Sequence, residues 1–128
     1  MFTKEYQIKD EHLDFQGVVD GLYYPFYMEW CRHAFMKECA KLDLEEEFKK
    51  GHIHTLLEYS IKFKKSLKKG DLINVTCSTQ KSDKKNRINF FQQILVDNIV
   101  YAEAIFTATC IINGRPTVPD EVLKTINQ

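Results

Sequence analysis

The spacing of the apolar residues changes once along this chain, near Gly51, and that change restricts the folds available to it. Between Tyr23 and Leu42 the apolar residues recur at steps of three and four, the period of an amphipathic helix. From residue 53 to residue 112 they alternate with polar residues at a period of two, which indicates strands. The sequence therefore predicts one long helix followed by a run of antiparallel strands.

Short polar segments separate the elements that this pattern predicts. We expect a strand over residues 3–9, a loop over 10–22 and the long helix over 23–42, with residues 43–50 extending or following it. Further strands are expected at 53–65, 72–80, 87–96 and 99–112, and a short terminal helix at 120–126. Along the strand at 53–65, alternation is expected to place one apolar set on a single face: Ile53, Leu57, Tyr59, Ile61 and Phe63.

One helix cannot cover both faces of a five-stranded sheet, and this limits how the elements can pack. The natural solution curls the sheet around the helix and pairs two subunits at their sheet edges. The predicted fold class is therefore α+β, a hotdog fold with an antiparallel five- to six-stranded sheet wrapped around one long central helix. Residues 1–128 fit a single domain of this kind, and we expect a homodimer or a homotetramer.

The charge balance and the cysteines exclude several classes of protein. There are 18 basic and 18 acidic side chains, so the basic excess that is typical of a nucleic-acid binder is missing. No apolar run approaches the ~20 residues of a membrane span, and no secretory segment is recognised, so we expect a cytoplasmic protein. The four cysteines have no C-x-x-C spacing, so we expect reduced, mostly buried thiols and no metal site.

Residues 12–32 carry the most specific motif of the chain, HLDFQGVVDGLYYPFYMEWCR. This motif resembles the signature of the hydroxybenzoyl-CoA thioesterase family, in which D-x-D-x-x-G-[HI]-V precedes a helix with tyrosine, aromatic and acidic positions. Asp14 matches the second, catalytic aspartate of the signature, and Gly17 matches its glycine. Two positions depart from it, because His12 replaces the first aspartate and Val18 replaces a frequent histidine.

The resemblance extends over nearly the whole chain. The helix pattern of the family matches at Tyr24, Tyr27, Glu29 and Arg32. Two later stretches also match, the Gly70-Asp71 pair before a strand and the final strand with its exit at Gly114-Arg115-Pro116. The resemblance implies hydrolysis of an acyl-CoA, with the CoA thioester as the substrate and no separate cofactor.

Thioester hydrolysis sets its own requirements for a site. It needs a carboxylate that attacks the carbonyl or activates water, together with donors aimed at the developing oxyanion. A helix N-terminus offers free backbone N–H groups, and Asp14 lies a few residues before one. By resemblance, the N–H near Gly21 would polarise the thioester carbonyl. Gly17, Val18 and Tyr24 would contact the substrate.

Other polar residues near the motif admit structural interpretations. His12 could modulate Asp14, although a lone histidine in a loop is usually exposed. Glu29 follows the charged line of the helix with His33, which favours a solvated face over a catalytic role. Tyr24 and Tyr27 could line an acyl pocket or belong to the core. The pair His52 and His54 has no convincing carboxylate partner in the sequence, so we expect a structural or pocket-lining role.

Basic residues cluster in the hairpin segments between Lys62 and Arg87. The phosphates of CoA usually bind Lys and Arg at a protein surface, and we expect contacts from Lys84, Lys85 and Arg87. The alternative is that these are strand-edge lysines, which prevent aggregation.

Three functions remain open at this point. An acyl-CoA thioesterase is the first, and a hotdog module that binds acyl-CoA or acyl carrier protein without turnover is the second. The third is a dehydratase, whose chemistry needs a histidine paired with an acid across a dimer. His12, His33, His52 and His54 form no recognisable motif of that kind.

Overall fold

The computed structural model describes residues 1–126, which form an antiparallel sheet curved around one long helix. The elements in chain order are β1 Phe2–Gln7, α1 Tyr24–Glu38, α2 Leu44–Lys49, β2 His52–Phe63, β3 Leu72–Lys81, β4 Ile88–Val96, β5 Ile99–Ile112, β6 Arg115–Thr117 and α3 Asp120–Leu123. The strand order is β1-β3-β4-β5-β2, with β6 pairing to β5, and every pair is antiparallel. The predicted fold class is confirmed.

Helix α1 begins after a 3-10 turn at Gly21–Tyr23 and carries Pro25 in its first turn, where a missing N–H costs no intrahelical bond. It ends at Glu38, four residues earlier than the pattern predicted. Lys41 adopts a φ of 61°, which no helix continues through. Asp43 then starts α2, because its carboxylate accepts hydrogen bonds from the backbone of the first turn of α2.

The buried stripe of α1 faces the concave side of the sheet. Its members recur at the three- and four-residue spacing of the sequence pattern: Tyr24, Tyr27, Met28, Cys31, Arg32, Phe35 and Met36. Each large apolar side chain that is fully buried stabilises the fold by about 1.5–3 kcal/mol. Arg32 is the one charged member of this stripe among the described residues, and it lies between apolar neighbours.

Strand β2 contains a bulge that changes which side chains share a face. The register with β5 shifts between Leu56 and Glu58, so one extra residue is inserted there. His54 pairs with Cys110 and Tyr59 pairs with Phe106, which puts His54 and Tyr59 on the same face of the sheet. The prediction that Ile53 and Tyr59 share a face was therefore wrong.

The C-terminal part of the chain adds one element that the sequence did not predict. Asn113 and Gly114 both have positive φ and form a two-residue hairpin turn, after which β6 folds back along β5. Helix α3 covers Asp120–Leu123 of the terminal helix predicted over 120–126. Within residues 1–126, no helix is long and apolar enough to cross a membrane. All four cysteines are free, as predicted, and Cys39 alone is not buried.

Candidate active site

The loop of Asp14 folds into a tight turn that fixes one oxygen of the carboxylate. Asp14 Oδ1 accepts hydrogen bonds from the backbone N–H of Gln16 at 2.8 Å and of Val18 at 3.4 Å. The backbone of Asp14 closes the same turn, donating to Val18 O at 2.8 Å and accepting from Gly17 N–H at 3.1 Å. Gly17 has a φ of +80°, a conformation that glycine adopts without strain. Asp14 Oδ2 makes no hydrogen bond within residues 1–126, so one oxygen is held and the other is free.

A short antiparallel pairing brings the end of this loop back beside its start. Leu13 bridges to Val19, and Asp20 N–H donates to His12 O at 3.0 Å. Gly21 follows at once as the first residue of the 3-10 turn. Its N–H makes no hydrogen bond to the part of the chain that the structure describes, whereas the next N–H, of Leu22, donates to Asp20 Oδ1 at 2.9 Å. Gly21 therefore offers a free donor near the Asp14 loop.

A cleft of about 300 Å³ opens beside Gly21, and it is lined by Val19, Gly21, Tyr24, Phe63, Lys64, Lys65 and Ser66. The Tyr24 hydroxyl accepts from Leu67 N–H at 3.0 Å and donates to Lys65 O at 3.4 Å, so the tyrosine ties α1 to the segment after β2. Burial raises the pKa of Tyr24, which keeps this hydroxyl protonated. Of the predicted substrate contacts, Tyr24 lines the cleft, whereas Gly17 and Val18 lie in the adjoining turn.

His12 is buried, in contrast to the exposed position expected for a lone loop histidine. Its side chain is 7% exposed and stacks on the ring of Tyr23, with ring centroids 4.4 Å apart. Its Nδ1 lies 2.5 Å from the hydroxyl of Tyr27, which also accepts from Lys9 N–H. The aromatic first turns of α1 cover the imidazole, a contact that the loop sequence alone does not reveal. His12 therefore anchors the loop behind Asp14.

A second and larger cavity, of about 350 Å³, continues along the seam between α1 and the sheet. Its helix wall includes Pro25, Phe26, Glu29, Arg32, His33 and Met36. Its sheet wall includes His54, Leu56, Tyr59, Phe90, Phe106 and Cys110. Since Tyr24 and Pro25 are neighbours and Phe63 lies beyond Tyr59 on one face of β2, the cleft and the cavity are successive parts of one seam.

Arg32 places a charge in the apolar wall of this cavity. The residue is 8% exposed, its Nη1 donates to Gln92 Oε1 at 3.1 Å, and its guanidinium lies 4.1 Å from the ring centroid of Phe106. No carboxylate within residues 1–126 forms an ion pair with it. Burial lowers the pKa of Arg32, yet a guanidinium stays charged in proteins. The sequence already held a sign of this site, because Arg32 is a charged residue at a position where the helix pattern predicts burial.

Glu29 occupies the open side of the same cavity. Its side chain is 48% exposed and its Oε1 lies 3.4 Å from His33 Nε2, one helical turn away. Glu29 thus follows the charged line that the sequence indicated, and it also borders the cavity.

A buried glutamate joins the two histidines of β2, which the sequence had left without a partner. Glu47 is 4% exposed, and its Oε1 accepts from His52 Nδ1 at 3.3 Å and from His54 Nε2 at 3.1 Å. Burial alone would raise the pKa of Glu47, but the hydrogen bonds from His54 and His52 outweigh it and lower the pKa below its ordinary 4.5. The prediction that His52 and His54 have no carboxylate partner was therefore wrong. Three successive glutamates in α2 gave no sign of which one turns inward.

The structure does not bring the predicted phosphate contacts to the cleft. Lys84, Lys85 and Arg87 belong to the turn between β3 and β4, next to Ile88, which pairs with Ala108. Phe63 of the cleft pairs with Ala102, six residues along β5, which corresponds to about 20 Å of strand. Lys64 and Lys65 are the basic residues that line the cleft, and the resemblance had not singled them out.

The chain is similar to several solved structures over nearly its full length. One is a 1,4-dihydroxy-2-naphthoyl-CoA thioesterase from Synechocystis, with 20% identity, a TM-score of 0.87, and 98% of this chain and 94% of that chain covered. A gentisyl-coenzyme A thioesterase has 18% identity, a TM-score of 0.85 and coverage of 96% and 98%. A thioesterase from Thermus thermophilus, in complex with coenzyme A and Zn, has 18% identity, a TM-score of 0.82 and coverage of 97% and 90%. At these identities the likeness establishes the hotdog fold.

The sequence itself decides the family. No curated protein matches the chain. The sequence model of the thioesterase-like superfamily, however, matches residues 8–126, which include the Asp14 loop, helices α1 to α3 and strands β2 to β6. The resemblance drawn from the motif is thereby confirmed, and the chain belongs to the thioesterase-like superfamily.

Proposed function

We propose that this protein hydrolyses acyl-CoA thioesters to the free acid and CoA, with Asp14 as the nucleophile or general base. Membership of the thioesterase-like superfamily supports the reaction class. The solved structures of the same fold include enzymes described as aroyl-CoA thioesterases and one that holds coenzyme A, which supports a CoA thioester as the substrate.

One observation carries the role of Asp14. The turn holds Oδ1 with two backbone N–H groups and leaves Oδ2 without a partner, and the same loop ends at the free N–H of Gly21. A carboxylate oxygen and a backbone donor thus belong to one hydrogen-bonded loop, seven residues apart, and attack on a carbonyl needs both kinds of group. The cleft beside Gly21 gives the thioester a place to lie.

The chemistry then follows from these groups. As a general base, Asp14 takes a proton from water while the water oxygen attacks the thioester carbonyl, and the Gly21 N–H donates to the oxyanion that forms. Collapse of this tetrahedral intermediate breaks the C–S bond and releases the CoA thiolate, which takes up the proton. As a nucleophile, Asp14 would instead form a mixed anhydride, which water hydrolyses in a second step.

The proposal includes an assembly of two or four copies. Strand β2 lies at an edge of the sheet and exposes Leu57, which lines neither the cleft nor the cavity, and this favours pairing of the free edge with a second copy. Since about 20 Å of strand separates Lys84, Lys85 and Arg87 from the cleft of their own chain, their contact with CoA phosphates belongs to the same hypothesis, with another copy supplying them. Cytoplasmic residence remains part of the proposal.

A turnover assay that detects free thiol, run over a panel of aroyl-CoA and alkanoyl-CoA substrates, tests the proposal. We expect hydrolysis of at least one class by the wild type and its loss in Asp14→Asn. Binding of acyl-CoA without release of thiol, across the whole panel, would instead identify a non-catalytic acyl-CoA or acyl carrier protein module.

A further inference from the structure

The guanidinium of Arg32 forms part of the cavity wall, and the proposed hydrolysis assigns it no role. It is more than nine-tenths buried and stacks on Phe106, and its one hydrogen bond within residues 1–126 goes to Gln92. An arginine carries five N–H donors in a planar fork, so most of these donors have no partner in the described chain. No polar nitrogen or oxygen atom among the described side chains is both fully buried and unsatisfied, so the free donors of Arg32 reach the cavity.

The charge of Arg32 is not balanced by a buried carboxylate. Glu29 is the acidic residue that borders the same cavity, but it lies beyond ion-pairing distance and its half-exposed carboxylate contacts His33. Burial lowers the pKa of Arg32 and outweighs the opposite effect of the Glu29 charge, because water screens that half-exposed carboxylate. A buried cation with free donors is stabilised by an anion that matches its planar fork, and a carboxylate does so with two parallel hydrogen bonds.

The position of Arg32 along the seam sets the distance between this anion and the thioester. Gly21 lies against the ring of Phe63, and the guanidinium of Arg32 lies on the ring of Phe106. On β2, the four residues from Phe63 to Tyr59, whose ring stacks on Phe106, correspond to about 13 Å. After roughly 3 Å for the hydrogen bond at one end or at each end, about 7–10 Å remains for the acyl chain. At ~1.25 Å for each extended bond this is a chain of roughly six to eight carbons.

We propose that the seam selects acyl groups that end in a carboxylate, with the thioester in the cleft at Gly21 and the distal carboxylate on Arg32. The preferred substrates are then half-thioesters of dicarboxylic acids of six to eight carbons. This inference rests on the proposed thioester hydrolysis and goes beyond it, because that hydrolysis does not depend on the charge of the acyl end.

The test compares acyl-CoA pairs of equal length that differ in the distal carboxylate: suberoyl-CoA against octanoyl-CoA, and adipoyl-CoA against hexanoyl-CoA. We expect the wild type to favour the carboxylated member of at least one pair by ~10- to 100-fold in kcat/KM, the scale of a charge-assisted hydrogen bond. Equal rates, or faster hydrolysis of the alkanoyl member in both pairs, would overturn the inference and leave the proposed function intact.

Two variants assign the preference to the guanidinium. Arg32→Met keeps a long apolar stem and should abolish the preference, whereas Arg32→Lys keeps a cation and should retain part of it. Lys37→Met removes an exposed cation on the same helix, and its preference should equal that of the wild type. A preference that survives in folded Arg32→Met would overturn the assignment. If Arg32→Met does not fold, a reduced preference in Arg32→Lys supports the role of the planar fork, and an unchanged preference contradicts it.

Calorimetric binding of suberate and octanoate to the wild type separates the inference from the proposed function. If no thioester in the panel is hydrolysed, tighter binding of suberate, sensitive to Arg32→Lys, still supports the carboxylate site. Equal binding of the two acids would overturn the carboxylate site. A crystal structure of the assembly in which a second copy of this chain fills the cavity would overturn it as well.

Discussion

The two ends of the seam between α1 and β2 are built by different kinds of contact. Around Asp14 the geometry comes from backbone groups within a few residues of one another, such as the bonds from Gln16 and Val18. Around Arg32 it comes from side chains far apart in sequence, since its partners Gln92 and Phe106 lie on two different strands of the sheet. The first end is therefore encoded in a short motif, whereas the second exists only once the sheet has formed.

We therefore connect the Asp14 loop with the reaction and the wall around Arg32 with the choice of acyl group. A loop fixed by its own backbone can be shared by chains with unlike cores, which fits the similarity of this fold to solved structures at about 20% identity. Arg32 itself matches the helix pattern of the family, but the wall around it depends on which side chains meet across the sheet. The predictions below test whether the two ends act independently.

The largest effect is expected at the loop. Asp14→Asn keeps the shape of the side chain and loses its basicity, so turnover should fall by at least ~100-fold while substrate binding survives. The measurement is kcat and KM on one good substrate, with thermal melts to check folding. Glu29→Gln is the matched variant at the other end of the seam, and it should lower turnover much less than Asp14→Asn does. An active Asp14→Asn enzyme beside an inactive Glu29→Gln would move catalysis onto the helix.

Phosphate recognition is expected to change binding by about tenfold. Replacing Lys84, Lys85 and Arg87 together by Met should raise KM more than it lowers kcat, and should weaken its dependence on salt, because fewer cations then face the CoA phosphates.

The Lys64→Met, Lys65→Met pair is the matched control for this effect, because these lysines line the cleft of their own chain. A larger rise in KM for that pair, with no change in the triple variant, would place the phosphates beside Gly21 and refute the contribution of a second copy.

A smaller effect on stability is expected from Tyr24→Phe. Loss of the hydroxyl leaves the buried N–H of Leu67 without its partner, which should lower the free energy of unfolding by about 1–3 kcal/mol. Urea denaturation measures this difference. Tyr59→Phe removes a hydroxyl that makes no hydrogen bond within residues 1–126, and it should change stability by much less. Equal effects of the two substitutions would show that the tie between α1 and Leu67 contributes little.

The smallest effect is expected at Glu47, and it depends on pH. The folded pKa of Glu47 lies below its ordinary 4.5, so its contacts stabilise the fold above that pH and this contribution is lost as the pH falls through the folded value. Glu47→Gln should therefore lower the free energy of unfolding by about 1 kcal/mol near neutrality, with the gap to the wild type closing below about pH 4.5.

Glu46→Gln, at the exposed neighbouring position with a surface pair to Lys49, serves as the control and should show almost no change at any pH. A gap at Glu47 that stays constant down to acid pH would mean that ionisation of the carboxylate does not contribute.

Sequence alone predicted the parts of this molecule that rest on local pattern. The apolar periods placed α1 and the five longer strands within a few residues, and the motif singled out Asp14 and Gly21. Three features could not be predicted because contacts between separate elements decide them. The bulge at Leu57 reverses the face of the first part of β2, His12 is covered by Tyr23 and by aromatic rings of α1, and Glu47 turns inward to meet β2.

The order of the elements also has a consequence for how the chain leaves the ribosome. Helix α1 is made long before the strands that cover it, and β1 must wait for β3, since Phe2 pairs with Cys77. Phe35 packs on Phe90 and Arg32 on Phe106, so before the later strands emerge the helix can pack on β1, as Phe35 does on Phe2, but not on the rest of the sheet. Most of the core therefore assembles late, and until then the sheet-facing side of the nascent helix exposes apolar surface that chaperones can bind.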